Sequence, residues 1–356
     1  MTRRTVAVVG LGIGKSHLEE GYANLKDRFE VLVACDLDKD RLATVGDAYA
    51  IPRRTTSFDE VLAMPDVDIV DICTPPMVHL PMIEAALKAG KHVICEKPLV
   101  GSLKDLAAVE AAEKASRGTV MPIFQYRWGN GFQKAKHIVD AGLAGKPYVA
   151  TVETHWLRGA AYYAVPWRGK FATELGGVLM THAIHIHDML CELMGPIDTL
   201  YGRTATRVNT IEVEDCAAAT LTMANGALVS LNATLGSRPE ISRMRLCFEN
   251  VTFESGLEPY APGNDPWTVT PSPDAKDAIE AALAAVKPVH PRFRGQLEAY
   301  AEALDAGRPL PVTLTDARRS LEMITAFYHS AETGEPVRLP ITPAHPKYAS
   351  WRPNGA

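Results

Sequence analysis

The sequence predicts an α/β protein in two parts: a doubly wound parallel sheet, then an α+β domain built on a large, mostly antiparallel open sheet. Three observations predict it. Over residues 1–124 short apolar runs alternate with helical patterns, the rhythm of βαβ units feeding a parallel sheet. The first apolar run ends in a glycine-rich turn, Gly10-Leu11-Gly12-Ile13-Gly14, that leads straight into a helical pattern. Beyond about residue 125, alternating strand patterns follow one another with few helices between them, as in an antiparallel sheet with one solvated face. At 356 residues and 47% hydrophobic content the chain can bury a large core, and two domains are expected, 1–124 and 125–356, with the C-terminal helices packing back.

In order, strands are expected over 5–9, 29–35, 69–73, 92–95 and 119–123, with helices over 16–24, 39–49, 77–89 and 103–115 between them. Ser102 precedes the last of these as its N-cap, and Gly90 and Gly118 stand where helices stop. In the second part strands are expected over 148–155, 199–206, 216–223, 227–234 and 243–249. A Pro- and Asp-rich stretch, 258–291, reads as loop with one Ala-rich helix. Helices return over 293–306 and 316–331, the latter with Thr315 as its N-cap.

Composition excludes several classes. A net charge of -5 carries no basic footprint for nucleic acid. No apolar run approaches the ~20 residues needed to span a bilayer, and no signal-peptide pattern precedes the glycine turn. The six cysteines are scattered without a C-x-x-C pair, the usage of a reducing compartment, so a cytoplasmic location is expected.

The glycine turn carries the first chemical signal. Without side chains the turn can be tight, and a pyrophosphate can approach the backbone N–H groups and the positive end of the helix. Its spacing, G-x-G-x-G, is one residue short of the usual dinucleotide fingerprint. The second strand ends in Asp36, roughly 20 residues on, where a carboxylate accepts hydrogen bonds from ribose hydroxyls and repels a 2′-phosphate. A Rossmann domain that prefers NAD follows, with Arg41 available to stack on the adenine. Thr74-Pro75-Pro76 with His79, and Glu96-Lys97-Pro98, follow the third and fourth expected strands. In a doubly wound sheet such strand ends border the ligand.

Together with Trp167-Arg168, the Gly176-Gly177 segment leading to His185 and Asp188, and a Thr-Gly-Glu-Pro-Val-Arg-Leu-Pro run at 333–340, these motifs resemble the Gfo/Idh/MocA family of oxidoreductases, the glucose-fructose oxidoreductase and inositol dehydrogenase family. The resemblance implies an open sheet that forms dimer or tetramer contacts. The three histidines and the aspartate of 182–188 also suggest a metal site, but with no H-E-x-x-H pattern and no matched cysteine or carboxylate cluster elsewhere, no metal is expected. The resemblance further implies that Lys97 touches both the nicotinamide ribose and the reacting hydroxyl, and that His185 serves as acid or base, the two converging over the nicotinamide. Family members place an aspartate four residues before that histidine, where this chain has Thr181, which carries no charge. The cofactor set it implies is Gly10, Gly12, Ile13, Gly14, Asp36, Leu37, Arg41, Thr74, Pro75, His79, Glu96, Lys97, Gln125, Trp167 and Arg168.

Hydride transfer from an alcohol needs a base for the hydroxyl proton while the cofactor supplies the electronic part. Histidine suits the first task because it titrates near neutral pH. The segment 180–188 reads as one helix, on which Thr181 and His185 lie a turn apart and His182, His185 and Asp188 share a face. Upstream, His155, Trp156, Arg158, Tyr162, Tyr163, Trp167, Arg168 and Lys170 combine aromatic faces with donors, which suits a sugar ring, while the cations would suit an anionic group. Arg127 opens the second part and serves cofactor or substrate. The substrate set is therefore Lys97, Arg127, Arg158, Tyr163, Trp167, Arg168, His182 and His185.

The function expected is an NAD-dependent dehydrogenase acting on a secondary hydroxyl of a sugar, sugar derivative or polyol, with Lys97, His185 and Thr181 at its chemical centre. Two alternatives stand beside it: a redox-neutral, NAD-dependent glycosidase, and a non-catalytic dinucleotide sensor.

Overall fold

The structure, a computed structural model, describes residues 3–352. Six strands form the first sheet: β1 (Arg4–Val9), β2 (Phe29–Cys35), β3 (Arg53–Thr55), β4 (Ile69–Ile72), β5 (His92–Cys95) and β6 (Val120–Pro122). Their order is β3-β2-β1-β4-β5-β6, and every neighbouring pair is parallel. Helices cover both faces of such a sheet, so its central strands are mostly apolar: Val6, Ala7, Val8, Ile69, Val70, Val93 and Ile94 are fully buried. Chain order reverses between β1 and β4, and the crevice outside the carboxyl ends there is where doubly wound folds take ligands.

The segment after the glycine turn is not the single regular helix the pattern predicts over 16–24. A short helix, Gly14–Ser16, passes into a π-turn, His17–Gly21, and then a 3-10 turn, Tyr22–Asn24. The wider winding lets His17 and Tyr22, five residues apart, reach the same buried carboxylate, Asp71. Strand β3 and the helix Phe58–Ala63 behind it escape the pattern reading because each is too short to show a period. Ser102 does cap the helix Leu103–Ala115, its hydroxyl accepting from the Asp105 N–H at 3.0 Å.

The second sheet has eight strands: β7 (Pro147–Leu157), β8 (Ile197–Ala205), β9 (Cys216–Met223), β10 (Leu228–Thr234), β11 (Gly236–Phe248), β12 (Val251–Glu254), β13 (Thr268–Pro271) and β14 (Val337–Arg338). Their order is β13-β12-β11-β7-β10-β9-β8-β14, antiparallel except for the β7–β10 pair. One face is buried and the other carries exposed Val149, Tyr201 and Leu228. The stretch expected as loop with one helix does hold the helix Lys276–Ala285, and it also adds β13 to the sheet edge. The last long helix begins at Leu314, ahead of the expected start. Thr315 lies inside it, and the side-chain contact at its start is Asp316, which accepts from the Thr313 N–H and hydroxyl, both at 2.8 Å.

The chain divides into two compact units, Met1–Phe124 with Phe293–Ala317, and Gln125–Arg292 with Arg318–Ala356. All six cysteines are free thiols. No helix among the described residues is long and apolar enough to cross a membrane.

Within the first unit one fully buried side chain ties the C-terminal addition to the sheet. Gln296 accepts from the Phe124 N–H at 3.1 Å and donates to the Pro122 carbonyl at 2.8 Å. Replacing it with leucine strands two buried backbone groups, at about 1–3 kcal/mol each. Gln296→Leu is expected to lower the denaturant midpoint by an equivalent of about 2–4 kcal/mol with the slope unchanged; a shift below about 0.5 kcal/mol would show that these groups find other partners.

Candidate active site

In the first unit the glycine turn is built around close approach. Gly10 has φ +87°, and a Cβ there would lie 2.7 Å from the Cys73 carbonyl oxygen. At Gly12 a Cβ would meet nothing within 4 Å, so the middle of the turn faces open space. The turn is pinned to β2 by Asp36, 7% exposed, whose carboxylate accepts from the Leu11 N–H at 2.7 Å and the Asp38 N–H at 2.9 Å. Arg41 sits 3.3 Å from the same carboxylate and 3.2 Å from Asp38, so its charge is shared between two acids. Ile13 and Leu37, 44% and 85% exposed, present apolar surface on either side of this rim. Open space at the central glycine, a buried acid at the end of β2 and apolar shoulders fit an adenine dinucleotide.

Two loops follow β4 and β5. His79, fully buried, faces the Thr74 carbonyl with Nε2 at 2.9 Å and the Pro98 carbonyl with Nδ1 at 2.9 Å, so it staples the Thr74-Pro75 loop to the Lys97-Pro98 loop. Burial lowers its pKa. Its ring is committed to holding these loops in register. Glu96, 4% exposed, accepts from the Lys97 N–H at 3.0 Å, which fixes the backbone of the half-buried lysine.

In the second unit the histidine segment departs from the expected single helix. A short helix, Val178–Thr181, stops at His182, whose φ of -122° is not helical, and a new helix runs Ile184–Met194. Thr181 therefore does not stack one regular turn below His185. Its hydroxyl donates to the Gly177 carbonyl at 2.7 Å and lies 2.6 Å from His182 Nδ1. With that proton given to Gly177, Nδ1 of His182 is the donor, and the basic nitrogen of the neutral ring is Nε2. His185, 3% exposed, stacks on Tyr126 at a centroid distance of 4.2 Å.

Around His182 lies a cluster of rings and guanidiniums. Trp156 meets it edge-on at 5.2 Å and Tyr162 at 5.6 Å. Arg158 lies over the rings of Trp156, Tyr162 and Tyr260, and Arg168 over Tyr162 at 3.9 Å and Trp167 at 4.4 Å. Both cations have carboxylate partners, Glu240 at 3.1 Å for Arg158 and Glu174 at 3.2 Å for Arg168. A cleft of about 510 Å³ opens beside the cluster, lined by Arg158, Tyr163, Asn209, Thr210 and Arg238 among others. The 207–209 backbone that walls it is held by fully buried Asp215, which accepts from three successive N–H groups at 2.7, 2.9 and 2.7 Å.

Two further acids brace the histidine segment: Glu214, which nothing in the sequence singles out, and Asp188, which the sequence places beside the histidines but without its partner. Buried Glu214 accepts from the Gly177 and Leu179 N–H groups, both at 3.0 Å, and from the Tyr328 hydroxyl at 2.5 Å; burial pushes its pKa up to about 7. Asp188 takes the guanidinium of Arg127 in two bonds, at 2.7 and 2.5 Å, with Glu192 3.3 Å from the third nitrogen. Arg127, 5% exposed, is thus spent on anchoring the Ile184–Met194 helix. The Gln125 side-chain oxygen is buried and has no hydrogen-bond partner among the described residues, an acceptor that a ligand would satisfy. The one metal-like grouping among the described residues is His17, Asp71 and Cys73, within 4.8 Å of one another, but the ring nitrogens of His17 are already engaged by Asp71 and Glu96.

Residues 4–124 match the model of the oxidoreductase family with an NAD-binding Rossmann fold, and residues 132–254 match that of the GFO/IDH/MocA C-terminal domain. The chain is 27% identical to the uncharacterized oxidoreductase YrbE of Bacillus subtilis over 96% of this chain and 98% of that protein. It is 26% identical to D-apiose dehydrogenase of Paraburkholderia graminis over 94% and 89%. The crystal structure of the WlbA dehydrogenase from Bordetella pertussis, in complex with NADH and UDP-GlcNAcA, superposes with a TM-score of 0.83 at 27% identity, covering 96% of this chain and 100% of that one.

His187 gives the segment an acid liability. It is 1% exposed, both ring nitrogens lack partners among the described residues, and burial drives its pKa down to about 3. Above pH ~6.5 the ring is neutral folded or unfolded. Below it the unfolded chain takes up a proton that the folded chain refuses until about pH 3, so stability is lost as pH falls across that window, by about 2 kcal/mol at pH 5. His187→Met is expected to flatten the fall in melting temperature between pH 6.5 and 4; an unchanged slope would mean the ring is protonated or partnered in the fold.

Proposed function

The chain belongs to the Gfo/Idh/MocA family of oxidoreductases and binds NAD, and from that premise we propose that it transfers a hydride between the nicotinamide and a secondary hydroxyl of a sugar, sugar derivative or polyol. Bound at the glycine turn, NAD supplies the hydride acceptor or donor. Asp36 receives the adenosine ribose hydroxyls and disfavours a 2′-phosphate. The Lys97 ammonium, on a backbone fixed through Glu96, steadies the alkoxide that develops on the substrate oxygen. His185, its ring plane set by Tyr126, moves the hydroxyl proton. Thr181 acts by setting the His182 tautomer, so that Nε2 of His182 meets a substrate hydroxyl.

The observation that carries the substrate class is the cluster of Trp156, Tyr162, Trp167, Arg158 and Arg168 around His182. Its flat faces suit the C–H patches of a sugar ring, and guanidiniums paired with Glu240 and Glu174 offer donors with little net charge. That balance favours hydroxyls over a bare anion at this point. A relative named D-apiose dehydrogenase and the WlbA dehydrogenase structure in complex with UDP-GlcNAcA support a carbohydrate substrate. The chain acts as a homo-oligomer through the open face of its second sheet.

A panel of sugars, acidic sugars, inositols and aryl glycosides with NAD is expected to give substrate-dependent absorbance of reduced nicotinamide, one equivalent per substrate oxidised. Release of aglycone without reduced cofactor would overturn net dehydrogenation. Lys97→Met is expected to cut turnover about a thousandfold while NAD affinity stays within about tenfold, ~1.4 kcal/mol. Surviving turnover would remove Lys97 from the chemistry.

A further inference from the structure

We infer that His17 is a positioning residue for Lys97: a sealed imidazolium, held between Asp71 and Glu96, that fixes the carboxylate to which the lysine backbone is bonded. The inference rests on the chemical role of Lys97 given above.

The geometry favours a doubly protonated ring. His17 and Asp71 are fully buried, and Glu96 is 4% exposed. Nδ1 of the ring lies 2.8 Å from Asp71 and Nε2 lies 3.1 Å from Glu96. A neutral imidazole has one N–H, so one of its lone pairs would face a carboxylate with no water to intervene. Two buried carboxylates beside a neutral ring would also leave two uncompensated charges, and such burial is strongly destabilising. With both nitrogens protonated, each carboxylate receives a charge-assisted bond.

The surroundings favour that state. Tyr22 donates to Asp71 at 2.9 Å, and the Cys73 sulfur lies 3.5 Å from both His17 and Asp71. From the helix Arg292–Ala306, Phe293 closes over the imidazole at 4.4 Å, while Tyr300 faces Tyr22. Burial alone would drive the ring neutral, but the charge and hydrogen bond of Asp71 hold its pKa well above the ordinary value.

A merely structural histidine would have no reason to end on the residue before the lysine. Glu96 divides its two oxygens, one on His17 Nε2 and the other on the Lys97 N–H. His17 follows Gly14 by three residues, so the buried cation that holds the lysine loop is carried by the segment just past the glycine turn. Asp71, a charge inside an otherwise apolar strand, is the sequence trace of this device.

Two measurements on the full chain test it, with NADH as the probe. In protein labelled with ¹⁵N-histidine, the His17 ring, assigned through the shift of its Nε2 signal in Glu96→Gln, is expected to keep both nitrogens protonated from pH 6 to 9. A single ring proton at pH 7, or titration near 6.5, would overturn the inference. In His17→Gln, amide exchange in the peptide carrying Lys97 is expected to rise at least about tenfold, while the glycine-turn peptide and NADH affinity stay within about threefold of wild type, less than ~0.7 kcal/mol in binding. Uniform acceleration of both peptides with parallel loss of NADH binding, or an unfolded variant, would assign His17 to the fold alone. Neither measurement uses turnover. If both succeed while Lys97→Met stays active, the clamp stands and the chemistry assigned to Lys97 falls.

Discussion

Much of this protein depends on a short hydrogen bond between the Leu11 amide and the Asp36 carboxylate. A glycine-rich turn is the most costly kind of backbone to order, because glycine has the most conformational freedom to lose. Here one buried acid at the end of β2 fixes the turn, and the bond uses the carboxylate that is expected to read the ribose. On the proposed role of Asp36, cofactor selection and loop order are thus one constraint. The turn also has to lie against the end of β4: Gly10 approaches the Cys73 backbone, and Gly14 packs on Val8 and Cys73. From that contact the ordered loops after β4 and β5 follow, stapled by His79 and Glu96.

Buried acids play the corresponding part in the second unit. Glu214, Asp215 and Asp188 each turn several donors inward: helix-start amides, a run of loop amides, and the Arg127 fork. A carboxyl group away from water is tolerated only when its polar atoms are met, so each such residue imposes one local arrangement of its donors. The segment from Gly177 to Asp188 is held at its start by one acid and at its far end by another. Two of its three histidines are oriented by aromatic neighbours, His182 by Trp156 and Tyr162 and His185 by Tyr126.

The parallel strands, the glycine turn, Asp36 and the loop lysine were legible because each rests on local chemistry: an apolar run, a turn that needs no Cβ, an acid at a fixed offset. The Ala-rich helix and the Ser102 cap were legible for the same reason. What stayed hidden depends on partners far along the chain. Arg127 meets Asp188 across 61 residues and Arg158 meets Glu240 across 82, so neither pairing leaves a local sign, and cations that read as ligands for an anion turn out to be matched. The break at His182 was hidden too, because Gly177, Glu214 and the Trp156 ring decide it against a helical pattern. Short edge strands such as β13 and β14 form by pairing with β12 and β8, not by propensity.

The most direct test of this account is calorimetric titration of NAD⁺ and NADP⁺ into the wild-type chain and Asp36→Ala. The account predicts that the wild type binds NAD⁺ at least about tenfold more tightly than NADP⁺, ~1.4 kcal/mol, and that the preference disappears in the variant. Equal or tighter binding of NADP⁺ by the wild type, or a preference that survives the loss of Asp36, would contradict it.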